Sequence, residues 1–293
     1  MFDASLLLNL AVEGLVQGCV YALLAVGFSL LWWVSGIIHL AHGGVTLAGG
    51  LLFYLLLESL GLHSVAALGA AVVLTVLLGL VLDAAVYRPL QRRGTEEMGL
   101  LTASLGVLIV AEFVLTIGFG PDGVSMHPDG LRSPIFKDAL PVLDRFSVGV
   151  LLFTATVFVA LHAMMVRTQF GRRLRAVAAN PDLARFVGID TAMVGRHAAA
   201  LTAILALPAA LALLFSSGLA PSEALHLVLI ASVCAILGGR GSLAGALIAG
   251  LIMGIAESVT SWHFASGWRQ LVTFIILYFI LLARPQGLFG KHA

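Results

Sequence analysis

Residues 32–50 read WWVSGIIHLAHGGVTLAGG, and this stretch joins two long apolar runs through two histidines and a cluster of glycines. The flanking runs are close to the roughly 20 residues that a helix needs to cross about 30 Å of hydrocarbon. A helix break at membrane depth is tolerated where it is buried in protein or lines a water-filled cavity. The stretch therefore predicts two membrane-embedded helices joined by a break that faces a cavity or a helix crossing.

The composition of the whole chain agrees with a membrane protein. Of its 293 residues, 60% are hydrophobic and only 11% are charged, and its mean hydropathy is +1.06. A soluble domain of this length needs far more surface charge, and the alternating pattern of barrel strands is absent. We therefore expect an all-α fold, a polytopic transmembrane helical bundle of about eight or nine spans with broken or re-entrant helices, forming one domain. The net charge of +1 suggests no nucleic-acid partner.

Long apolar runs separated by short polar connections define the candidate spans. The run at 225–238 is too short to cross unaided, and the segment from residue 38 is rich in glycine, so either can be a half-helix or a re-entrant piece. The candidate spans are residues 6–34, 38–58, 64–86, 98–119, 146–166, 197–217, 225–238, 243–262 and 268–284.

Arginine predicts the orientation, because Lys and Arg collect in short cytoplasmic loops. Most basic residues lie in the loop at 87–97, the loop at about 167–196 and the tail from residue 284, which we expect to be cytoplasmic. The segment at about 120–145 is rich in Pro, Gly and Asp, and we expect it to be the main external loop. The N-terminus is external if segment 38–58 crosses and cytoplasmic if that segment is re-entrant.

The most informative polar stretch is GRRLRAVAANPDLARFVGID, residues 171–190. Asn180 is placed to cap a helix, with Pro181 at its first position and Asp182 in its first turn. Gly188 can end that short helix. Fixing topology requires only the basic residues, so the capped helix favours a docking surface for a cytoplasmic partner. The alternative is a loop that only fixes topology.

Several ionisable residues fall within or near the predicted spans, where a charge is costly unless it faces the bundle interior or a wet cavity. Asp83 and Glu257 lie near predicted span ends, where we expect them to be solvated. Glu112 lies deeper, and it can pair with a neighbouring helix, line a substrate path or bind protons. The set consists of Glu13, Asp83, Glu112, Glu257 and Arg269.

No metal site or other cofactor is expected. The histidines of the opening stretch have no third ligand nearby in sequence, and His42, beside Gly43 and Gly44, is better explained as a polar side chain that satisfies backbone groups at the helix break. Cys19 and Cys234 show neither a CxxC nor a metal-ligand spacing. We expect both cysteines to be small packed hydrophobes.

Two further patterns bear on function. The chain has no G-x-x-x-x-G-K-[ST] phosphate loop, so energy from ATP must arrive through a partner, and the absence of a nucleophile elbow or HExxH argues against an enzyme. A weak internal echo links HLAHGGVTLAGGLLFYLLLES (39–59) with ILGGRGSLAGALIAGLIMGIAES (236–258), each a glycine break followed by a small-residue helix ending near Glu-Ser. Paired breaks of this kind point to a substrate pathway in transporters, and chance similarity is the alternative.

Taken together, these motifs resemble the permease subunits of branched-chain amino acid ABC importers. The resemblance implies an all-helical permease in the bacterial inner membrane. It also implies a second permease subunit, two cytoplasmic ATP-binding subunits and a periplasmic or extracellular substrate-binding protein. The matching stretches follow the family's order over almost the whole chain: GLVQGCVYALLAVGFSLLW, GIIHLAHGG, VYRPLQRRG, SLGVLIVAE, GRRLRAVAANPDLARFVGID, ILGGRGSLAGALIAGLIMGIAES and ARPQGLFG.

The resemblance also implies a set of site residues. These would form the segment that rests on the ATPase: Gly171, Arg172, Arg175, Ala176, Asn180, Ala184 and Gly188. A second set is a hypothesis from the helix breaks and from the carboxylate of Glu112, and it would lie near the translocation path: His42, Gly43, Gly44, Glu112, Gly238, Gly239 and Gly241.

The chain departs from the family's usual pattern at two positions. Glu112 stands where an uncharged amide is frequent, and His39 stands where Asn is common. The substrate is therefore left open among branched-chain amino acids, urea, short amides and other amino acids. The alternative function is an ion-coupled secondary transporter that works without ATPase subunits, with Glu112 as its proton site.

Overall fold

The described part of the chain is mainly helical and contains one short antiparallel pair of strands. A computed structural model describes residues 4–128, 134–136, 140–239, 241–263, 268–284 and 286–289. Long runs of Leu and Ala favour helices, and a helix satisfies its own backbone groups in lipid. The helices are α1 (Ala4–Ser35), α2 (His42–Tyr54), α3 (Ser64–Leu82), α4 (Arg88–Arg92), α5 (Glu97–Phe119), α6 (Arg145–Arg167), α7 (Gln169–Ala179), α8 (Pro181–Phe186), α9 (Thr191–Ser216), α10 (Ala224–Gly238), α11 (Leu243–His263) and α12 (Trp268–Ala283).

Shorter elements extend some of these helices. A π-helical turn, Leu55–Ser59, continues α2, and a second, Asp83–Tyr87, joins α3 to α4. A 3-10 turn, Pro221–Glu223, precedes α10. The predicted external loop contains an antiparallel pair of strands, β1 (Pro134–Phe136) and β2 (Leu140–Asp144). Its residues 129–133 and 137–139 lie outside the described part of the chain.

The chain is a multi-pass membrane protein. Within the described residues, seven helices are long and apolar enough to cross a membrane: Leu7–Ser35, Ser64–Arg92, Glu97–Phe119, Arg145–Arg167, Thr191–Ser216, Pro221–Gly238 and Leu243–Trp262. Two further predicted spans, 38–58 and 268–284, contain the shorter helices α2 and α12, which have 13 and 16 residues. The expectation that the run at 225–238 is too short was wrong, because the 3-10 turn extends it to 18 residues.

The helices are organised in two compact units. One unit contains residues 1–29, 127–161 and 230–293, and the other contains residues 30–126 and 162–229. Helix α1 contributes to both units, since its last residues belong to the second.

In the second unit, α2 is the central helix. It contacts α3, α5 and α9, and every residue from His42 to Leu51 is buried. A Cβ atom on Gly49 would lie 2.8 Å from Thr75 Oγ1. Small residues allow membrane helices to approach this closely. The glycines that follow the break therefore mark helix crossings. A cavity and a helix crossing were the two alternatives that the opening stretch predicted for this break.

In the first unit, α1 and α11 cross on glycines. A Cβ atom on Gly14 would lie 2.7 Å from Ile255 Cα, and one on Gly18 would lie 2.7 Å from Leu251 Cα. These separations are shorter than any ordinary contact of a Cβ atom, so only glycine fits. This is the small-residue packing that holds helices together where hydrophobicity cannot.

Glu257 joins three helices of the first unit. Its carboxylate accepts hydrogen bonds from Tyr21 OH on α1 (2.5 Å) and from Thr273 Oγ1 on α12 (2.8 Å). The expectation of a solvated Glu257 was therefore wrong: the residue is only 3% exposed. The cause is the packing of α1 and α12 around this end of α11, where they supply the hydroxyl donors Tyr21 and Thr273. Helix α11 itself continues to His263, beyond Glu257. The weak echo with α2 therefore holds at the glycine break but not at the helix end.

Tyr21→Phe is expected to lower the free energy of unfolding by about 1–3 kcal/mol, because it leaves a buried carboxylate short of one donor. The measurement is thermal unfolding of the purified protein in detergent. Tyr278→Phe is the matched control, since Tyr278 is 62% exposed and its variant should unfold at the wild-type temperature. Equal shifts for the two variants would contradict the role of the buried hydrogen bond.

Candidate functional site

The capped helix that the sequence predicts in the loop at about 167–196 is present as α8. Asn180 Oδ1 accepts hydrogen bonds from the backbone N–H groups of Asp182 (3.1 Å) and Leu183 (3.0 Å). Pro181 is the first helical residue, and Gly188 has φ +83, the left-handed conformation that ends helices. The predictions for Asn180, Pro181 and Gly188 are confirmed.

Helix α7, by contrast, is held by α6. Gly171 is buried, and its N–H bonds Thr168 Oγ1 at 3.1 Å. A Cβ atom on Gly171 would collide with the carbonyl groups of Met164 and Met165, and the Arg175 guanidinium donates to the Met165 carbonyl oxygen. Gly171 and Arg175 thus hold the start of α7 against the end of α6.

The exposed residues of α8 differ from those that the family resemblance implied. Ala184 is buried, at 3% exposure. Leu183, Phe186 and Val187 are instead 61%, 87% and 76% exposed, and we call these three residues the α8 apolar patch. These three residues were not among those predicted from the sequence, although apolar residues at i, i+3 and i+4 of a short helix are a detectable signal.

The break before α2 is packed against other helices of the second unit. A Cβ atom on Gly43 would collide with the carbonyl oxygen of Ala224, and one on Gly44 would lie 2.9 Å from the Ala111 side chain on α5. His42 is fully buried. The residues His42, Gly43 and Gly44 therefore lie where α2 meets α5 and α10.

Hydrogen bonds from side chains hold this break. Tyr87 OH lies 2.6 Å from His39 Nδ1 and 2.8 Å from Ser104 Oγ. Ser104 Oγ also accepts from the backbone N–H of Ala41 at 2.9 Å. Ser104 thus satisfies a backbone group at the break, the role that we expected for His42.

Two carboxylates of the second unit have distinct surroundings. Glu112 is half-buried on α5, directly after Ala111, which meets α2. Asp83 was expected to be solvated, and this was wrong: it is 9% exposed and its Oδ2 lies 2.6 Å from Arg88 Nε.

A small pocket beside Asp83 is also lined by His39, Tyr87 and Thr202. Its cavity volume of about 10 Å³ is the space of one water molecule and excludes an amino acid.

The second glycine break lies in the first unit. Gly239 and Gly241 have φ of +91 and +81, which other residues rarely adopt. A Cβ atom on Gly238 would lie 2.5 Å from the carbonyl carbon of Gly245, so the end of α10 packs tightly on the start of α11. Arg240, between these glycines, lies outside the described residues.

The C-terminal motif covers the end of α10. The backbone N–H of Leu288 bonds the carbonyl oxygen of Leu237 at 2.7 Å, and that of Phe289 bonds the carbonyl oxygen of Gly238 at 3.3 Å. The last carbonyl groups of a helix have no partner within it. The tail donates hydrogen bonds to these carbonyl groups of α10, so the ARPQGLFG motif has a structural role.

The described residues contain no group of three or more His, Cys, Asp and Glu side chains that could hold a metal ion. Cys19 and Cys234 are buried free thiols. Both cysteines therefore pack as hydrophobic side chains.

Comparison with known proteins identifies the family. The family model described as "Branched-chain amino acid transport system / permease component" matches residues 10–281. The high-affinity branched-chain amino acid transport system permease protein BraD of Pseudomonas aeruginosa is 28% identical, over 96% of this chain and 94% of BraD. The corresponding protein LivH of Escherichia coli is 27% identical, over 95% of this chain and 94% of LivH.

A solved structure shares the fold. PsaBC from Streptococcus pneumoniae, in complex with Fab, aligns with a TM-score of 0.52 at 14% identity, over 94% of this chain and 92% of that chain. The expected family resemblance and the expectation of a transport permease rather than an enzyme are confirmed by the family match. This chain belongs to the family of branched-chain amino acid transport system permease components.

Proposed function

We propose that this chain is a permease subunit of an ABC importer that moves branched-chain amino acids, or related small polar substrates, across the bacterial inner membrane. Its relatives BraD and LivH are named as high-affinity branched-chain amino acid permeases. The chain itself has no phosphate loop, so two cytoplasmic ATPase subunits supply the energy. A second permease subunit, identical or different, and an external binding protein complete the importer.

The α8 apolar patch carries the proposal. Phe186, the last residue of α8, and Val187, its C-cap, are more than three-quarters exposed, and the Asn180 side chain caps the start of this helix. Such a patch on a polar loop indicates a protein partner. Arg185 and Asp182 stand beside the patch and pair with each other at 3.3 Å, so they form a polar rim around an apolar centre. We assign this surface to a groove of the ATPase.

Apart from Glu112, which lies on α5, the residues of the proposed path belong to two glycine breaks. Helices that pack closely on glycine are suited to slide past each other as rigid elements. Such sliding is a common way for a protein to change between two conformations. We propose that closure of the ATPases moves α7 and α8 and switches the spans between outward-open and inward-open states. The residues proposed near the path are His42, Gly43, Gly44, Glu112, Gly238, Gly239 and Gly241.

Glu112 supports one alternative. It is a half-buried carboxylate in a membrane helix, and among the described residues it forms no ion pair. Such a group is a candidate proton site. In that case the chain is a secondary transporter that needs a proton gradient and no ATPase.

The test is expression of the chain together with the products of its neighbouring genes, followed by co-purification and transport of leucine into proteoliposomes. The importer predicts that ATPase subunits co-purify and that uptake requires ATP. The alternative predicts uptake by the chain alone under a proton gradient, lost in Glu112→Gln. Uptake without ATPase subunits would overturn the importer.

A further inference from the structure

The π-helical turn Asp83–Tyr87 places Asp83 and Arg88 on the same face of the chain. The backbone N–H of Arg88 bonds the carbonyl oxygen of Asp83, and Arg88 Nε bonds Asp83 Oδ2 at 2.6 Å. In an α-helix, residues five apart lie about 140° apart around the axis and cannot pair in this way. The ion pair therefore depends on the π turn. Single π turns are rare in helices and are frequent at functional sites.

Arg88 also reaches the cytoplasmic segment. Its Nη2 donates to the carbonyl oxygen of Ala192 at 3.0 Å, in the first turn of α9. The preceding residue, Thr191, accepts a hydrogen bond from Arg185 Nε of α8 at 3.1 Å. One guanidinium thus holds both the π turn and the start of the helix to which α8 is attached.

The other end of the π turn reaches the break before α2. Tyr87 is its last residue, and its hydroxyl bonds His39 and Ser104. Ser104 in turn holds the Ala41 N–H. Tyr87 is only 2% exposed, so these bonds lie away from bulk water.

We infer that Asp83, Tyr87 and Arg88 are positioning residues that transmit movement of α8 to the break before α2. The inference rests on the proposed function, because it assumes that an ATPase moves α8. The contacts form one continuous series within the second unit, from Arg185 through Arg88 to His39. A displaced α9 would pull on Arg88, and the π turn would have to shift or release its ion pair.

Arginine is needed at this position for its shape. Its planar fork donates from Nε and Nη2 in two fixed directions, whereas a lysine ammonium is a single point charge. Asp83 and the Ala192 carbonyl therefore require a guanidinium if both are to be held at once.

The experiment compares Arg88→Gln with Arg92→Gln in the complete complex with its ATPases, second permease subunit and binding protein. Arg92 lies one turn further, is exposed and belongs to the same basic loop, so its variant removes the same charge without either contact. The measurement is leucine imported per ATP hydrolysed in proteoliposomes. We expect wild-type coupling for Arg92→Gln and about a tenfold lower ratio for Arg88→Gln, with ATPase subunits still bound.

Equal ratios for the two variants, with the ATPases bound, would overturn the inference and leave the proposed function intact. A wild-type chain that recruits no ATPase would overturn the proposed function, and with it the inference. If Arg88→Gln does not accumulate in the membrane, Tyr87→Phe decides. It removes one hydroxyl without changing a charge, and an unchanged ratio of leucine to ATP in that variant would equally overturn the inference.

Discussion

Phe186→Asp is expected to abolish co-purification of the ATPase subunits with the permease. The ring is 87% exposed at the end of α8. Burying a phenylalanine side chain contributes about 1.5–3 kcal/mol, and a carboxylate placed in an apolar groove adds a desolvation cost. A central apolar residue of an interface commonly contributes about 2 kcal/mol or more. The affinity should therefore fall by at least about 30-fold.

Leu60→Asp is the matched control for this prediction. Leu60 is 62% exposed and lies between the π turn after α2 and the start of α3, on the side predicted to be external. The same substitution there should leave ATPase binding unchanged. Binding assays with purified ATPase subunits give the affinity, and circular dichroism checks the helix content of both variants. Wild-type affinity in Phe186→Asp would remove α8 from the interface and leave the loop as a topology signal.

Local patterns in the sequence predicted local structure well. The spans at 98–119 and 146–166 agree with α5 and α6 to within a residue. The cap at Asn180 and the helix end at Gly188 are also as predicted. These features depend on interactions between residues close in sequence, such as an Asn side chain and N–H groups two and three residues later.

Features that depend on neighbouring helices could not be read in this way. Asp83 was expected in solvent because it stands near the end of an apolar run, yet the π turn carries the helix onward and turns Asp83 inward against Arg88. Glu257 is likewise buried because α1 and α12 supply hydroxyl donors that are distant in sequence. Hydropathy predicts how deep in the membrane a residue of a helix lies. It does not predict which face of that helix neighbouring helices cover.

In the candidate site, too, local features were predicted from the sequence, whereas contacts between helices were not. The capped helix of the loop at about 167–196 was predicted from its sequence, but the resemblance pointed to Ala184, which is buried, rather than to Phe186. For the helix breaks, glycine predicted where the chain bends. The partners of the break, Tyr87 and Ser104, come from other helices, so only the fold brings them together.

Gly254→Ala is expected to destabilise the protein strongly, whereas Gly149→Ala should not. Both glycines lie inside helices of the first unit, on α11 and α6. A Cβ atom on Gly254 would collide with the backbone of Gly14 and Gly18 on α1, while one on Gly149 would meet nothing within 4 Å. Backbone atoms cannot move aside as a flexible side chain can, so α1 and α11 would have to separate.

We expect the free energy of unfolding to fall by about 3 kcal/mol in Gly254→Ala. In Gly149→Ala it should rise by about 0.5–1 kcal/mol, because alanine favours the helix. Thermal unfolding of the two variants in the same detergent measures the difference. Shifts of the same sign would mean that the α1–α11 crossing tolerates a methyl group and that glycine is not required there.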